Sequence, residues 1–174
     1  MAIQGGIIFA CIAAYFYLKK HQIPVLPFAD TVTPGIILGQ AIGRIANFMN
    51  GDAFGHPTGQ DFGLLYPDTT LAYHTYGAQP LWPAEVWECQ GDLLIFVLLL
   101  WYGCKTRAEG TTFCLYIMFY SLLRFFLENY RGDYGTLALG LKSAQLTSLA
   151  AFAGAFILFL YFHFKHKSKS GISE

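Results

Sequence analysis

Five apolar stretches, each close to the length that crosses a lipid bilayer, dominate this 174-residue sequence. A membrane helix needs about 20 largely apolar residues. The stretches lie at residues 3–18, 28–49, 83–103, 111–128 and 144–164. Only 13% of the residues are charged, which is roughly half the share usual in a soluble domain. The sequence therefore predicts an all-α fold, a polytopic membrane bundle of about five transmembrane helices forming one domain over residues 1–174. It excludes a soluble globular enzyme.

The basic residues predict how the chain is oriented in the membrane. Seven of the eleven follow the first, third and fifth stretches: Lys19, Lys20, Lys105, Arg107, Lys165, Lys167 and Lys169. Basic residues collect on the cytoplasmic side, so we expect the N-terminus outside and the C-terminus, with a basic tail at 165–174, inside. The loop at 51–81 contains no lysine or arginine and is expected to be extracytoplasmic. Acidic and basic residues balance, so the net charge does not favour nucleic acid as a partner.

Two stripes of polar residues interrupt the apolar stretches at helical spacing. One comprises Gln40, Arg44 and Asn47, and the other comprises Tyr116, Tyr120, Arg124, Glu128 and Arg131. Residues three or four apart share a helix face, and an arginine inside a bilayer is costly enough to indicate a functional site. Because a guanidinium binds phosphate bidentately and stays charged, the stripes predict a lipid-phosphate site near the outer face. A purely structural pairing of Arg124 and Arg131 with Glu128 is the alternative.

Two further patterns concern helix ends and helix packing. The third stretch opens with acidic residues at helical spacing, Glu85, Glu88 and Asp92. Acidic side chains near a helix N-terminus compensate the helix dipole, although Asp92 lies deep for that role.

The second stretch carries glycines at every fourth position, Gly35, Gly39 and Gly43. This repeat predicts the close approach of a neighbouring helix.

The four cysteines indicate neither a metal site nor a disulfide framework. They are Cys11, Cys89, Cys104 and Cys114. No CxxC pair occurs, and no histidine lies at zinc-ligand spacing from a cysteine. We therefore expect free thiols that pack as small apolar side chains.

Residues 43–55 carry a specific motif, Gly-Arg-Ile-Ala-Asn-Phe-Met-Asn-Gly-Asp-Ala-Phe-Gly. It resembles the signature of the prolipoprotein diacylglyceryl transferases, Gly-Arg-x-x-Asn-Phe-x-Asn-x-Glu-x-x-Gly, and differs only at Asp52. Tyr120 and residues 124–131 are similar to the family's Arg-x-x-x-Glu-x-x-Arg helix with its preceding tyrosine. Residues 83–88 and 141–146 resemble two further family elements, so the resemblance extends from about Gln4 to the last apolar stretch.

The resemblance implies a multi-pass enzyme of the bacterial cytoplasmic (inner) membrane. The implied reaction transfers diacylglyceryl from phosphatidylglycerol to the lipobox cysteine thiol in the signal peptide of a preprolipoprotein, and it requires no metal or cofactor. The implied catalytic residues are Arg44, Arg124, Asp52 and Glu128. The implied substrate-binding residues are Arg44, Asn47, Asn50, Gly55, Tyr120, Arg124 and Arg131. Asp52 is the nearest candidate to assist deprotonation of the thiol, and it is explained equally well as an arginine partner.

Two departures from the family pattern keep a second hypothesis open. Gln4 stands where the family has a histidine that can accept a thiol proton, and Trp82 stands at another family histidine. Family members also begin with further helices, so we expect a fragment or a short divergent member, with a partner or oligomer supplying the missing helices. The alternative function is a non-catalytic relative that binds anionic phospholipid or a lipoprotein precursor.

Overall fold

A computed structural model describes residues 2–104, 108–132 and 142–170 and shows a helical protein. The elements are α1 (Ala2–Lys20), α2 (Val25–Asn50), α3 (Leu71–Tyr76), α4 (Ala84–Gly103), α5 (Thr111–Leu127), a 3-10 turn (Glu128–Tyr130) and α6 (Ser143–Ser170). Five of the six α-helices match the five apolar stretches to within a few residues, and α3 is an addition. The all-α prediction is confirmed, and no strand occurs within these ranges.

Several residues of the sequence-based predictions lie outside this description. They are Lys105, Arg107, Leu141, the tail from residue 171 onward, and the side chains of Gln4 and Lys169. The predictions that concern them therefore stay predictions.

Three segments are long and apolar enough to cross a membrane: Val25–Asn50, Thr111–Tyr130 and Ser143–Lys165. They lie in α2, α5 with its 3-10 turn, and α6. The membrane class predicted from the sequence is thus confirmed. The count of five spans stays a prediction, because α1 and α4 are not among these segments and α4 carries three acidic residues.

The centre of the bundle is formed by α2, α4 and α5, and α6 packs along the other side of α5. The apolar core is built around Ile37 on α2 and around Ile95 and Leu99 on α4. These two α4 residues continue the face that carries Glu85, Glu88 and Asp92, because the positions follow one another at steps of three and four. Polar and apolar parts of the core therefore share one stripe of α4, with the polar part nearest its N-terminus.

The glycine repeat of α2 does not make the close helix contact that its spacing predicts. A methyl group added at Gly35, Gly39 or Gly43 would meet no atom of the described chain within 4 Å. The close approach occurs instead between α4 and α5, where a Cβ on Gly91 would lie 2.5 Å from a methyl carbon of Leu123. The prediction from the repeat is thus wrong within the described residues, because Gly35, Gly39 and Gly43 are all exposed.

An acidic side chain of α2 caps the start of α5. Both oxygens of the buried Asp30 carboxylate accept backbone hydrogen bonds, from Gly110 N–H at 2.7 Å and from Phe113 N–H at 2.9 Å. A carboxylate at this position satisfies amides that have no partner within the helix and compensates the positive end of its dipole. This contact fixes the end of the bundle that lies opposite to the arginine stripes.

The loop at 51–81 is a folded cap over the other end. Helix α2 ends at Gly51, whose left-handed φ of 68° allows Asp52 N–H to donate to Asn47 O, a Schellman ending. Phe54, Ala72 and Leu81 form a small core within the cap. The backbone of Gly55 pairs with that of Arg131. The cap is thereby attached to the segment that follows α5.

Candidate functional site

One carboxylate on α4 binds three arginines that come from three separate parts of the chain. Glu88 Oε1 accepts a hydrogen bond from Arg124 Nη1 at 2.7 Å, and Oε2 accepts one from Arg131 Nη1 at 3.2 Å. The Nε of Arg44 lies 3.2 Å from the same Oε2. We call Glu88, Arg44, Arg124, Arg131 and Glu128 the arginine cluster.

A second carboxylate holds Arg124 from its own helix face. The Nη2 of Arg124 lies 2.9 Å from Glu128 Oε2, four residues further along. Arg124 therefore bridges Glu88 and Glu128 with its two terminal nitrogens. A guanidinium fixed at both ends presents its plane in one orientation, which a flexible lysine would not do.

The local fold explains why these side chains meet. Arg44 lies three residues beyond Ala41 on the face of α2 that packs against α4, and Glu88 lies on the buried face of α4. Arg131 lies beyond the end of α5, in extended backbone. The Nζ of Lys142 donates 2.7 Å hydrogen bonds to the carbonyl oxygens of Glu128 and Arg131. The start of α6 thus holds Arg131 in place.

The accessible part of the cluster is positive. The side chains of Arg44 and Arg124 are 19% and 16% exposed, whereas those of Glu88 and Glu128 are 1% and 0% exposed. A molecule that approaches from outside meets guanidinium groups before it meets carboxylates. Such an arrangement favours an anion that accepts hydrogen bonds from planar donors, above all a phosphate.

The structure brings together four of the residues predicted for the site and leaves the others around them. Arg44, Arg124, Arg131 and Glu128 belong to the cluster. The rest are distributed around it: Asn47 half-buried in the last turn of α2, Asn50 exposed at its end, Asp52 half-buried just beyond, Gly55 buried in the cap, and Tyr120 half-buried on α5. The roles assigned to all of these residues stay predictions.

The structure disagrees with one of the two sequence-based explanations of Asp52. Its side chain makes no ion pair with any residue that the structure describes, and Arg44 pairs with Glu88 instead. The interpretation of Asp52 as the partner of an arginine is therefore wrong within these residues. Gly55 packs closely against Trp82, whose carbonyl oxygen would clash with a Cβ at this position.

Glu88 is the cluster residue that the sequence reasoning missed. With Glu85 it was interpreted as helix-dipole compensation, for which Asp92 lies too deep, but all three side chains are buried. A signal for its role is present in the sequence: the two stripes contain three arginines and one carboxylate, Glu128. Buried charges need partners, so a second acid had to come from a neighbouring helix.

Two further acidic side chains lie on the same face of α4. Glu85 Oε1 accepts a 2.5 Å hydrogen bond from the Tyr66 hydroxyl of the cap, and burial raises the pKa of that hydroxyl above its usual value. Asp92 is completely buried, and neither of its carboxylate oxygens has a hydrogen-bond partner among the described residues.

A groove of about 350 Å³ runs between α5 and α6 and reaches the arginine cluster. Its α5 wall includes Tyr116, Tyr120 and Arg124, and the two tyrosine rings stack with their centroids 6.0 Å apart. Its α6 wall consists of small side chains, among them Ala144 and Ala151. Arg124 is the residue that belongs to both the groove and the cluster.

The described residues contain no group of three histidine, cysteine, aspartate or glutamate side chains that could hold a metal ion. All four cysteines are free, as predicted, although Cys11 and Cys104 are exposed.

Comparison with known proteins agrees with the motif at residues 43–55. The family model for prolipoprotein diacylglyceryl transferase matches residues 1–161, so the chain belongs to this family. It is similar to the phosphatidylglycerol–prolipoprotein diacylglyceryl transferase of Clostridioides difficile (strain 630), with 38% identity over 100% of this chain and 65% of the relative.

Two more relatives carry the same name. That of Corynebacterium efficiens is 34% identical over 92% of this chain and 53% of its own length. That of Clostridium botulinum (strain 657 / Type Ba4) is 37% identical over 86% of this chain and 59% of its own length. The chain thus spans between about half and two thirds of the length of these relatives.

Proposed function

We propose that this member of the prolipoprotein diacylglyceryl transferase family transfers diacylglyceryl from phosphatidylglycerol to the lipobox cysteine of a prolipoprotein. The observation that carries the proposal is the arginine cluster, in which Glu88 and Glu128 hold three guanidinium groups while the accessible surface stays positive. The relatives are named for this donor and this acceptor, and residues 43–55 resemble the family's signature motif, with Asp52 as the one difference.

In the proposed reaction the cluster binds the phosphate of the lipid. Arg44 and Arg124, the more exposed pair, contact the phosphate oxygens, and Glu88 and Glu128 keep the guanidinium planes oriented. The thiol sulfur attacks the glyceryl carbon, and the carbon–oxygen bond to phosphate breaks. Glycerol phosphate leaves with more negative charge than it carried as a diester. Donors that are already oriented towards this charge stabilise the transition state.

The surrounding residues complete the proposed site. Asn47 and Asn50 lie one and two turns beyond Arg44 on α2 and are assigned to hydrogen bonds with glycerol or phosphate oxygens. Gly55 allows the cap to pack closely, and Tyr120 lines the groove beside Arg124. Asp52 makes no ion pair in the part of the chain described, and the substitution Asp52→Asn tests its proposed assistance in thiol deprotonation.

The groove between α5 and α6 suits the other end of the lipid. Its α6 wall consists of the small side chains of Ala144, Thr147, Ser148 and Ala151, and it reaches Arg124. A lipid whose phosphate contacts Arg124 can place an acyl chain along such a surface. The proposed path of the lipid into the site is therefore sideways, from the membrane between these two helices.

The proposal includes five membrane spans in the cytoplasmic membrane, with the N-terminus and the cap at 51–81 outside and the C-terminus inside. The distribution of lysine and arginine supports this orientation. It places the cluster at the outer surface, where a lipobox peptide arrives. We also propose that a partner, or a second copy of the chain, packs against α1, because α1 makes few contacts with α2.

A second candidate is a non-catalytic relative that binds anionic phospholipid or a lipoprotein precursor. One observation favours it: Trp82, at the position of a family histidine, packs its ring at 5.5 Å from Trp87 and 5.3 Å from Tyr130. An indole in a packed aromatic cluster does not exchange protons at neutral pH. This candidate predicts lipid binding without transfer.

A mass-shift assay tests both candidates. The purified chain in vesicles containing phosphatidylglycerol is mixed with a lipobox peptide, beside the variants Arg44→Ala, Arg124→Ala and Gln4→His and the control Lys20→Ala. A diacylglyceryl mass gain on the cysteine that both arginine variants lose and the control retains supports the transferase. Activity only in Gln4→His supports the binding relative. A mass gain that survives both arginine substitutions contradicts the assigned site.

A further inference from the structure

Asp92 is a buried carboxylate for which the arginine cluster provides no hydrogen bond. The residue is 0% exposed, and both carboxylate oxygens lack a hydrogen-bond partner in the part of the chain that the structure describes. An unsatisfied buried polar group costs about 1–3 kcal/mol. Native proteins contain few of them, and each calls for an explanation.

Asp92 lies on the same face of α4 as Glu88 of the arginine cluster. It follows Glu88 by one turn of α4, which places it about 6 Å further from the cap along the helix axis. The groups that interact electrostatically with its carboxylate are Arg44 from α2, Glu88 and Cys89 from α4, and Arg124 and Tyr116 from α5. Asp92 therefore lies on the inner side of the two most accessible arginines.

The chemistry of a phospholipid determines what lies on that side. A phosphate held by Arg44 and Arg124 has its headgroup towards the cap and water, and its acyl chains extend into the apolar part of the bundle. The glyceryl carbon that joins the phosphate to the acyl-bearing part must then lie on the inner side of the arginines. This carbon is the one that the thiol attacks, so a proton acceptor is needed beside it.

The other carboxylates near the site are already occupied or lie elsewhere. Glu88 and Glu128 are paired with guanidinium groups, and Glu85 accepts from Tyr66. Asp52 lies beyond the end of α2, at the cap. The oxygens of Glu128 also accept no hydrogen bond from a described residue, but its Oε2 lies 2.9 Å from Arg124 Nη2. Asp92 is thus the carboxylate on this face of α4 that has neither a hydrogen bond nor an ion pair among the described residues.

Building on the proposed transferase function, we propose that Asp92 accepts the proton of the attacking cysteine thiol. The S–H proton moves to a carboxylate oxygen, and the sulfur electron pair forms the new bond to the glyceryl carbon. The carbon–oxygen bond breaks, and its electrons leave on glycerol phosphate, which the arginines stabilise. Asp92 then releases its proton to water after the product leaves.

Access to Asp92 is from the side of the groove between α5 and α6. Arg124 and Tyr116 both line the groove and both interact electrostatically with the carboxylate. Displacement of the Tyr116 side chain, with Arg124 still paired to Glu88 and Glu128, opens the space beside Asp92. Catalytic contacts of this kind are often incomplete before the substrate binds.

The test compares two acceptor peptides that differ in one atom. One carries cysteine, and the other carries selenocysteine, whose selenol is already ionised at neutral pH and needs no base. The variant Asp92→Asn, which keeps the size of the side chain, is expected to slow transfer to the cysteine peptide by about 100-fold or more. The selenocysteine peptide is expected to react with the variant at close to the wild-type rate, and the KM for phosphatidylglycerol is expected to stay unchanged.

A control variant, a competing variant and a pH series sharpen the comparison. Glu85→Gln is the control and is expected to affect both peptides by the same factor, whereas Asp52→Asn tests the competing assignment of the thiol proton to Asp52. With the cysteine peptide, the rate of Asp92→Asn is expected to rise about tenfold per pH unit below the thiol pKa of about 8.5, because only preformed thiolate reacts. The wild type is expected to depend less steeply on pH in this range.

The outcomes separate the two levels of the proposal. Equal losses on both peptides in Asp92→Asn, with an active wild type, overturn the role of Asp92 and leave the transferase function in place. A selective loss on the cysteine peptide in Asp52→Asn assigns the proton to Asp52 and also overturns it. A wild type that transfers to neither peptide overturns the proposed function together with this step.

Discussion

Glu88 and Arg124 join α4 to α5 through a 2.7 Å hydrogen bond between Oε1 and Nη1. The other oxygen of the same carboxylate interacts with Arg44 and Arg131, so a single buried side chain links α2, α5 and the segment beyond the 3-10 turn. The cluster that we assign to phosphate binding is therefore also a structural link between helices. The pairing of Arg124 with Glu128 that the sequence suggested is present, whereas Arg131 pairs with Glu88 on α4.

Glu88→Ala is expected to destabilise the protein by about 3–5 kcal/mol, because removing one partner of a buried ion pair leaves uncompensated charge. The measurement is unfolding in detergent micelles, followed by tryptophan fluorescence. Glu109→Ala, which removes an exposed carboxylate, is the matched control and is expected to have little effect. Equal stability of the two variants would show that Glu88 does not hold the helices together.

Asp30→Ala is expected to destabilise the protein by about 1–2 kcal/mol through loss of the cap on α5. The carboxylate accepts from two backbone amides at that helix end, and the cap lies at the end of the bundle away from the arginine cluster. The melting temperature should fall while the transfer rate per folded molecule stays the same. Asp61→Ala, in the exposed part of the loop, controls for the loss of charge, and a fall of similar size there would contradict the prediction.

Gly55→Ala is expected to displace the cap. A Cβ at this position would overlap the carbonyl oxygen of Trp82, and overpacking of this kind costs about 1–3 kcal/mol. The backbone pairing between Gly55 and Arg131 would separate, so faster proteolysis within 51–83 and weaker binding of phosphatidylglycerol are both expected. Gly154→Ala, where a Cβ would meet nothing within 4 Å, is the control, and identical behaviour of the two variants would argue against the close packing.

The helices could be predicted from the sequence because each depends on a local property, its apolar length. The folded cap could not, because its structure depends on pairs that are distant in sequence, such as Gly55 with Arg131 and Leu64 with Leu81. Arg44 and Arg124 were found because a charge within an apolar stretch is a local anomaly. Glu85 and Glu88 were misassigned because an acid in the first turns of a helix is also consistent with an exposed helix end, and only the packing of α4 decides between the two.

Gly91→Ala and Gly39→Ala form a pair that tests helix packing. A Cβ on Gly91 would lie 2.5 Å from a side-chain carbon of Leu123, whereas one on Gly39 would contact nothing within 4 Å. Gly91→Ala is expected to destabilise the protein by about 1–3 kcal/mol. Gly39→Ala is expected to be neutral or stabilising by up to about 1 kcal/mol, because alanine favours the helix. Unfolding in micelles measures the stability of both variants. A larger loss of stability in Gly39→Ala than in Gly91→Ala would show that the glycine repeat is the packing face.

Tyr66→Phe is expected to destabilise the protein in a way that depends on pH. The Tyr66 hydroxyl donates to the buried Glu85, and loss of this donor costs about 1–3 kcal/mol near neutral pH. Burial raises the pKa of Tyr66 above its usual value of 10.0, so the folded protein retains the proton to higher pH than the unfolded chain does. The stabilising contribution of Tyr66 is therefore complete below pH about 10 and decreases as the pH rises further.

The difference in unfolding free energy between the wild type and the variant should decrease above pH about 10, while Tyr15→Phe, at an exposed position of α1, should show no such change. A difference that stays constant with pH would mean that the Tyr66 hydroxyl does not hold its proton against Glu85.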